Sequence, residues 1–210
     1  MKLISVCVGR PREVEHEGSY VLTSIFKEPV AGRARVSRLN IVGDEQSDLT
    51  VHGGRDKAVY AYPADHYAFW RRELPHAELA WGAFGENLTI EGLTEDRVAI
   101  GDRLHCGTVE FIVTQPRLPC FKLGIHFGRA DMIQRFMRAG RSGFYLAVLR
   151  EGELGAGDAV ELIPSDDDRV TVREIFDLFR PDGGDPKILE RASRLSALPE
   201  SWRERFRTRL

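Results

Sequence analysis

Cysteine is scarce in this chain. Three occur in 210 residues, Cys7, Cys106 and Cys120. An odd, scattered set is no disulfide framework, and no pair has the C-x-x-C spacing of a structural zinc site. Long apolar runs are missing as well. The N-terminal run from Leu3 to Val8 is six residues, short of a secretory h-region, and nothing approaches the roughly 20 residues that span a bilayer. Charge of one sign is also missing. The formal net charge of −2 excludes a general electrostatic attraction to nucleic acid or to an anionic membrane surface. Internal repeats and low-complexity tracts are absent. The expectation is a cytoplasmic protein with no membrane and no nucleic-acid partner.

What is present is the composition of a globular protein, 42% apolar and 30% charged, on a chain long enough to bury a core without covalent staples. Short runs rich in Val, Ile, Phe and Tyr at Leu3–Val8, Val59–Tyr62, Val109–Thr114, Phe144–Leu149 and Ala159–Ile163 are bounded by Gly, Pro or Asp and predict strands. Many short strands with such punctuation suggest a barrel or sandwich. Two helices interrupt them. Pro63–Leu74 sets Tyr67, Trp70 and Leu74 on one face, and Ala130–Ala139 does so for Ile133, Phe136 and Met137 ahead of a Gly140 stop. An acidic stretch, Asp166-Asp167-Asp168, then marks a linker over 164–169. Beyond it Thr171-x-x-Glu174 has the form of a capping box, Asp185-Pro186 an N-cap with proline at the first helical position, and Pro199 opens a helix with Trp202, Phe206 and Leu210 as its stripe. The predicted organisation is a mostly β domain over 1–163 and a three-helix domain over 170–210. So few residues hardly hold a core alone, so the helices should pack on the β domain.

The residue with the most chemical promise is Cys120, in Gln115-Pro116-Arg117-Leu118-Pro119-Cys120-Phe121-Lys122. Arg117 and Lys122 would stabilise its thiolate, the form that attacks carbon or binds metal. Three uses are open: an inert core thiol, a nucleophile with His52, His105 or His126 as base, or the single protein ligand to a metal whose other ligands come from a cofactor. Cys7 falls in the first strand and is expected in the core. His105-Cys106 reads as a surface pair, and His66 as an ordinary helix residue. A second segment, Asp44 to Tyr60, gathers polar residues around Gly53-Gly54. Adjacent glycines let backbone N–H groups form an anion nest, and Arg55 and Lys57 add positive charge. The plainer reading of that segment is a solvated hairpin connection. A third segment, Gly85-Glu86-Asn87-Leu88, offers Asn87 either as a ligand contact or as a turn former.

Taken in order, the segments resemble the MOSC family, named for the C-terminal domain of molybdenum cofactor sulfurase, and within it the YiiM-type bacterial members. The matching pieces are Gly43-Asp44-x-Gln46-x-Asp48, His52-Gly53-Gly54-x-Asp56-Lys57-Ala58-Val59-Tyr60, Asp65-His66-Tyr67-x-x-Trp70, Gly85-Glu86-Asn87-Leu88, Gly101-Asp102, Gln115-Pro116-Arg117-x-Pro119-Cys120-x-Lys122-Leu123, Arg141-x-Gly143-Phe144-Tyr145 and Gly157-Asp158. The helical tail resembles the small domain that YiiM-type members carry. The resemblance implies a β-barrel-like MOSC domain that binds molybdenum cofactor (Mo-molybdopterin), with Cys120 as the ligand to molybdenum. Arg117, Lys122, Lys57 and the Gly53-Gly54 backbone would suit the cofactor's phosphate. The implied activity is reduction of N-hydroxylated compounds, such as N-hydroxylated purine bases, to amines. With no flavin or iron–sulfur motif in the chain, electrons would come from an external donor protein. His52, Asp48 or Asn87 would deliver protons or orient the N–O group. The rival implication is a non-catalytic carrier of cofactor or sulfur, with Cys120 holding a persulfide. A pyridoxal-phosphate site on Lys57 or Lys122 lacks the large α/β scaffold such enzymes use.

Overall fold

The computed structural model describes residues 1–47, 53–165, 168–180 and 183–210. In chain order its strands are β1 (Lys2–Val8), β2 (Arg12–His16), β3 (Ser19–Thr23), β4 (Glu28–Pro29), β5 (Arg33–Val36), β6 (Val59–Pro63), β7 (Leu88–Glu91), β8 (Arg103–Cys106), β9 (Val109–Pro116), β10 (Phe144–Arg150), β11 (Gly152–Gly155) and β12 (Val160–Ile163). The helices are α1 (Tyr67–Glu73), α2 (Phe121–Phe127), α3 (Met132–Ala139), α4 (Val172–Asp177), α5 (Pro186–Ala192) and α6 (Glu200–Arg207). The fold is mostly sheet with a few helices.

Eight strands form one sheet in the order β12-β8-β9-β10-β6-β7-β1-β4, with β11-β5 and β2-β3 as separate two-stranded ladders. Every pairing in the large sheet is antiparallel except β6 with β7. The ladders do not close this sheet into a barrel. The start of β1 meets the residue before β12 at an isolated bridge between Lys2 and Ala159, flanked by backbone bonds from Leu3 N–H to the Asp158 carbonyl at 2.9 Å and from Val160 N–H to the Met1 carbonyl at 3.0 Å. All the strand runs expected from β-branched and aromatic residues are present, each within a residue or two of its expected ends.

The local helix signals also appear in the structure. Thr171 and Glu174 form a complete capping box on α4, and Asp185 accepts the Lys187 N–H at the start of α5. Gly140 takes a left-handed conformation at the end of α3. Two details differ from expectation. The first turn of the Pro63–Leu74 segment is a 3-10 turn, Ala64–His66, because Pro63 stays extended. Leu210 is 66% exposed rather than part of the α6 stripe, since α6 ends at Arg207. Helix α2 was not expected. Gly124 in its middle disguised it, and the close approach of the Arg129 carbonyl, 3.0 Å from where a Cβ would stand, accounts for the glycine.

The core has two parts. One lies against the sheet and holds Leu3, Val59, Phe111, Leu146 and Val148. The tail helices contribute Val172, Ile175, Leu189, Ala192 and Phe206 to this same cluster, so the small helices draw their burial from the sheet. Arg169 clamps the junction by pairing with the fully buried Asp102 at 2.9 Å. The second part is aromatic, with Tyr60, Tyr62, Tyr67, Trp70, Phe84 and Phe136. The Trp70 indole N–H donates to the Tyr62 hydroxyl at 2.6 Å, and Tyr62 stacks on Phe84 at 4.7 Å. This aromatic block is the floor under the Cys120 segment.

Candidate functional site

Strand β9 ends at Pro116, and the chain turns through Arg117-Leu118-Pro119 to Cys120, which caps α2 with extended backbone. Leu123 N–H donates to the Cys120 carbonyl at 3.0 Å and starts the helix. This turn sets Cys120 in the wall of a cleft that opens to solvent. Around it stand Ser24, Lys27, Asp44, Lys57, Arg117 and Lys122, with Tyr60, Asn87 and Tyr145 deeper in.

The cations differ in character. Arg117 is 6% exposed. Its Nη1 donates to the Phe84 carbonyl at 2.9 Å, and its guanidinium lies 5.0 Å from the Tyr60 ring centre. Burial opposes its charge, but Tyr60, Tyr145 and Cys120 more than offset that and raise its pKa. Lys57 is half-buried, and burial lowers its pKa, with Asp56 and Cys120 pulling the other way. Both cations therefore lie within electrostatic reach of the Cys120 sulfur. Lys122 Nζ donates to Ser47 Oγ at 3.0 Å. Lys27 pairs with Asp44, whose Oδ1 also accepts the Gly9 N–H at 2.7 Å.

Asn87 lines the same cleft with its amide engaged. Its Oδ1 accepts the Tyr60 N–H at 3.0 Å, and its Nδ2 donates to the Cys7 carbonyl at 3.2 Å. Glu86 beside it is fully buried and accepts the Gly82 and Phe84 N–H groups at 2.9 and 3.0 Å, the Thr89 hydroxyl and the Tyr67 hydroxyl. The Gly85-Glu86-Asn87-Leu88 motif is thus a buried hydrogen-bonded brace behind the cleft. Gly53 and Gly54 precede the 3-10 turn Arg55–Lys57 and do not line the cleft. His52 and Asp48 lie outside the described residues.

No described histidine lines the cleft. His105 on β8 contacts Arg150 at 3.1 Å, away from it. His126 on α2 is pressed against Phe26 and Phe127, and burial, with Arg12 and Arg117 nearby, lowers its pKa to about 4. His66 is not an ordinary helix residue. Its Nε2 meets Glu95 at 2.6 Å and its Nδ1 faces the Arg141 guanidinium at 2.9 Å. Since Arg141 only donates, the His66 proton sits on Nε2 and goes to Glu95. Cys7 and Cys106 are both buried and their thiols are pushed up to about 12, chiefly by burial. Cys106 is a core residue, which corrects the expected surface pair with His105.

Sequence reasoning did not single out segment 23–27. It brings Thr23, Ser24, Ile25 and Lys27 to the cleft from the far side, and no spacing marks it, because it reaches Cys120 only through the fold. Ser24 is 9% exposed, and its hydroxyl has no hydrogen-bond partner among the described residues. Among the described residues no three His, Cys, Asp or Glu side chains gather to hold a metal ion. One cysteine, several cations and a hydroxyl unpartnered among the described residues fit an anionic cofactor that brings its own metal ligands, and do not fit a bare ion.

The family model for the MOSC domain matches residues 48–161, and the model for the YiiM-like 3-alpha helix domain matches residues 170–210. The chain belongs to the MOSC domain family. An uncharacterized MOSC relative, YflK of Bacillus subtilis (strain 168), is 39% identical over 204 residues, covering 97% of this chain and 92% of that one. A protein named reductase from Gibberella moniliformis (strain M3125 / FGSC 7600) is 35% identical over 164 residues, covering 77% of this chain and 29% of its own length. The crystal structure of YiiM from Geobacillus stearothermophilus superposes with a TM-score of 0.82 at 33% identity, covering 100% of this chain and 98% of that one. Membership associates this MOSC chain with molybdenum-cofactor function. Among the described residues, no helix is long and apolar enough to cross a membrane.

Proposed function

We propose that the chain is a molybdenum-cofactor-dependent oxidoreductase that reduces N-hydroxylated compounds, such as N-hydroxylated purine bases, to amines. The observation that carries the reading is the meeting of Cys120 with Lys57, Arg117 and Lys122 in one cleft. On this reading Cys120 is the protein ligand to molybdenum. Arg117, Lys57 and Lys122 would balance the pterin phosphate, and Ser24 Oγ would hydrogen-bond the cofactor; Gly53 and Gly54, outside the cleft lining, take no part. When bound, the cofactor would supply the two electrons that, with two protons, turn R–NH–OH into R–NH2 and water.

The chain's own residues do the rest. Arg117, fixed by Phe84 and the tyrosines, holds a negative charge in place with little reorganisation. His52 is a proton donor in this proposal, and Asn87 holds the strands that frame the cleft. The β domain over 1–163, barrel-like with its seam at the Lys2–Ala159 bridge, carries the site. The helices over 170–210, which follow the linker 164–169 in the chain, buttress it. Electrons come from a separate donor protein in the cytoplasm.

The test is metal and pterin analysis of protein freshly isolated from a cofactor-competent host, with turnover of an N-hydroxylated base by a chemical or protein reductant. Wild type is expected to carry close to one molybdenum per chain, and Cys120→Ala to lose both metal and turnover while keeping its fold by circular dichroism. Full activity in Cys120→Ala would sink the ligand assignment. Metal bound without turnover by any donor would favour the cofactor or sulfur carrier.

A further inference from the structure

Phe121, directly after Cys120, leaves 50% of its surface in solvent. Opposite stands His16, at the tip of the β2–β3 hairpin, with ring centres 6.4 Å apart and planes 29° from parallel. That separation is ordinary for an offset-stacked pair, and the exposure of Phe121 shows that His16 covers only part of the phenyl ring.

The hairpin is held in this position. An isolated two-stranded ribbon is marginal in water, and this one is fastened to α2 by one direct contact and by one that runs through Phe26. The Arg12 guanidinium lies 3.3 Å over the Phe26 ring, which packs on His126 of α2 at 4.8 Å. At its tip His16 meets Phe121. Its register pairs Arg12 with Thr23, Val14 with Val21 and His16 with Ser19, so alternation puts these six residues on one face. Thr23 on that face lines the Cys120 cleft. The same ribbon face therefore runs from the cleft wall at Thr23 to the exposed phenyl ring of Phe121, which with His16 stands outside the cleft lining.

We propose that Phe121 and His16 form an aromatic rim that selects planar heteroaromatic substrates, with Phe121 stacking on the ring while the N–O group enters the cleft. The opposite hairpin face, with Glu13, Glu15, Tyr20 and Leu22, takes no part. The stacking role deepens the reductase reading and rests on it for turnover, but not for recognition of the ring.

The experiment therefore starts with binding to the full-length holoprotein. Adenine is the planar probe and methylguanidine the non-aromatic one, both titrated calorimetrically. Removing one aromatic stacking partner is expected to weaken adenine about tenfold relative to methylguanidine. This is the expected result for Phe121→Ala, with a smaller loss for His16→Ala. Phe121→Trp is expected to keep adenine affinity and to show quenched fluorescence on binding. In turnover, the ratio of kcat/KM for an N-hydroxylated purine to that for an aliphatic N-hydroxyguanidine should fall about tenfold in Phe121→Ala. Absence of adenine binding by wild type, wild-type adenine affinity in Phe121→Ala, or equal loss of both probes would overturn the rim. A rim that binds adenine as described in a protein without turnover would sink the reductase reading and leave the rim standing.

Discussion

Lys27 and Asp44 form a buried ion pair in the wall of the Cys120 cleft, their side chains 8% and 2% exposed. Asp44 also accepts the Gly9 N–H, so the carboxylate joins the end of β1 to the loop after β5. A charge this deep is tolerable only while its partner is present.

That dependence gives a stability prediction. Asp44→Ala should destabilise the protein by about 3–5 kcal/mol, because the Lys27 ammonium is left buried and unpaired. The double substitution Lys27→Met with Asp44→Leu should cost less than Asp44→Ala alone. Urea unfolding of Lys27→Met, Asp44→Leu and the double variant beside Asp44→Ala decides it; additive losses in the two singles and their double would show that the pair is not coupled.

His126 predicts a pH dependence. Its folded-state pKa, about 4, lies below the ordinary value of 6.5. Between pH 6.5 and 4 the unfolded chain binds a proton that the folded chain refuses, so stability is full above 6.5 and is lost as pH falls through 4. The shift corresponds to roughly 3 kcal/mol across the window. His126→Phe, which keeps the packing on Phe26 and Phe127, should flatten this part of a stability–pH curve measured by chemical denaturation. An unchanged slope would assign the acid sensitivity elsewhere.

The cysteines predict a labelling pattern. Cys7 and Cys106 are buried with thiols held protonated to about pH 12. Iodoacetamide at pH 8 should therefore modify Cys120 alone in the native apoprotein and all three after unfolding, as read by peptide mass spectrometry. Native labelling of Cys106 would contradict its place in the core.

The capping box offers a graded test of the tail. Thr171→Ala removes a side chain that accepts the Glu174 N–H and should cost about 1 kcal/mol, or about 2–4 °C in Tm for a protein of this size. Because α4 shares the sheet's hydrophobic cluster, the loss should appear in one global transition rather than as separate melting of the helices.

Much of the architecture was written locally. Val59, Val109 and Phe144 begin strands because β-branched and aromatic side chains suit a pleated, buried surface. Thr171, Asp185 and Gly140 mark helix ends because their own atoms or backbone freedom complete the cap. Such signals need only neighbours in the chain, and so survive in the sequence. Cys120 stood out for the same reason, with cations three residues before and two after it.

The surroundings of Cys120 were a different matter. Ser24 and Lys27 reach the cleft from a segment nearly a hundred residues away, and Lys27 finds Asp44 across it. Asn87 carried no sign that its amide would join Tyr60 to Cys7. His16 gave no hint of Phe121. The sequence by itself determined which segments become strands and helices and which thiol has basic neighbours. Only the tertiary structure decided which side chains share the cleft, because strand order and ladder register, set by collective burial, bring distant residues together.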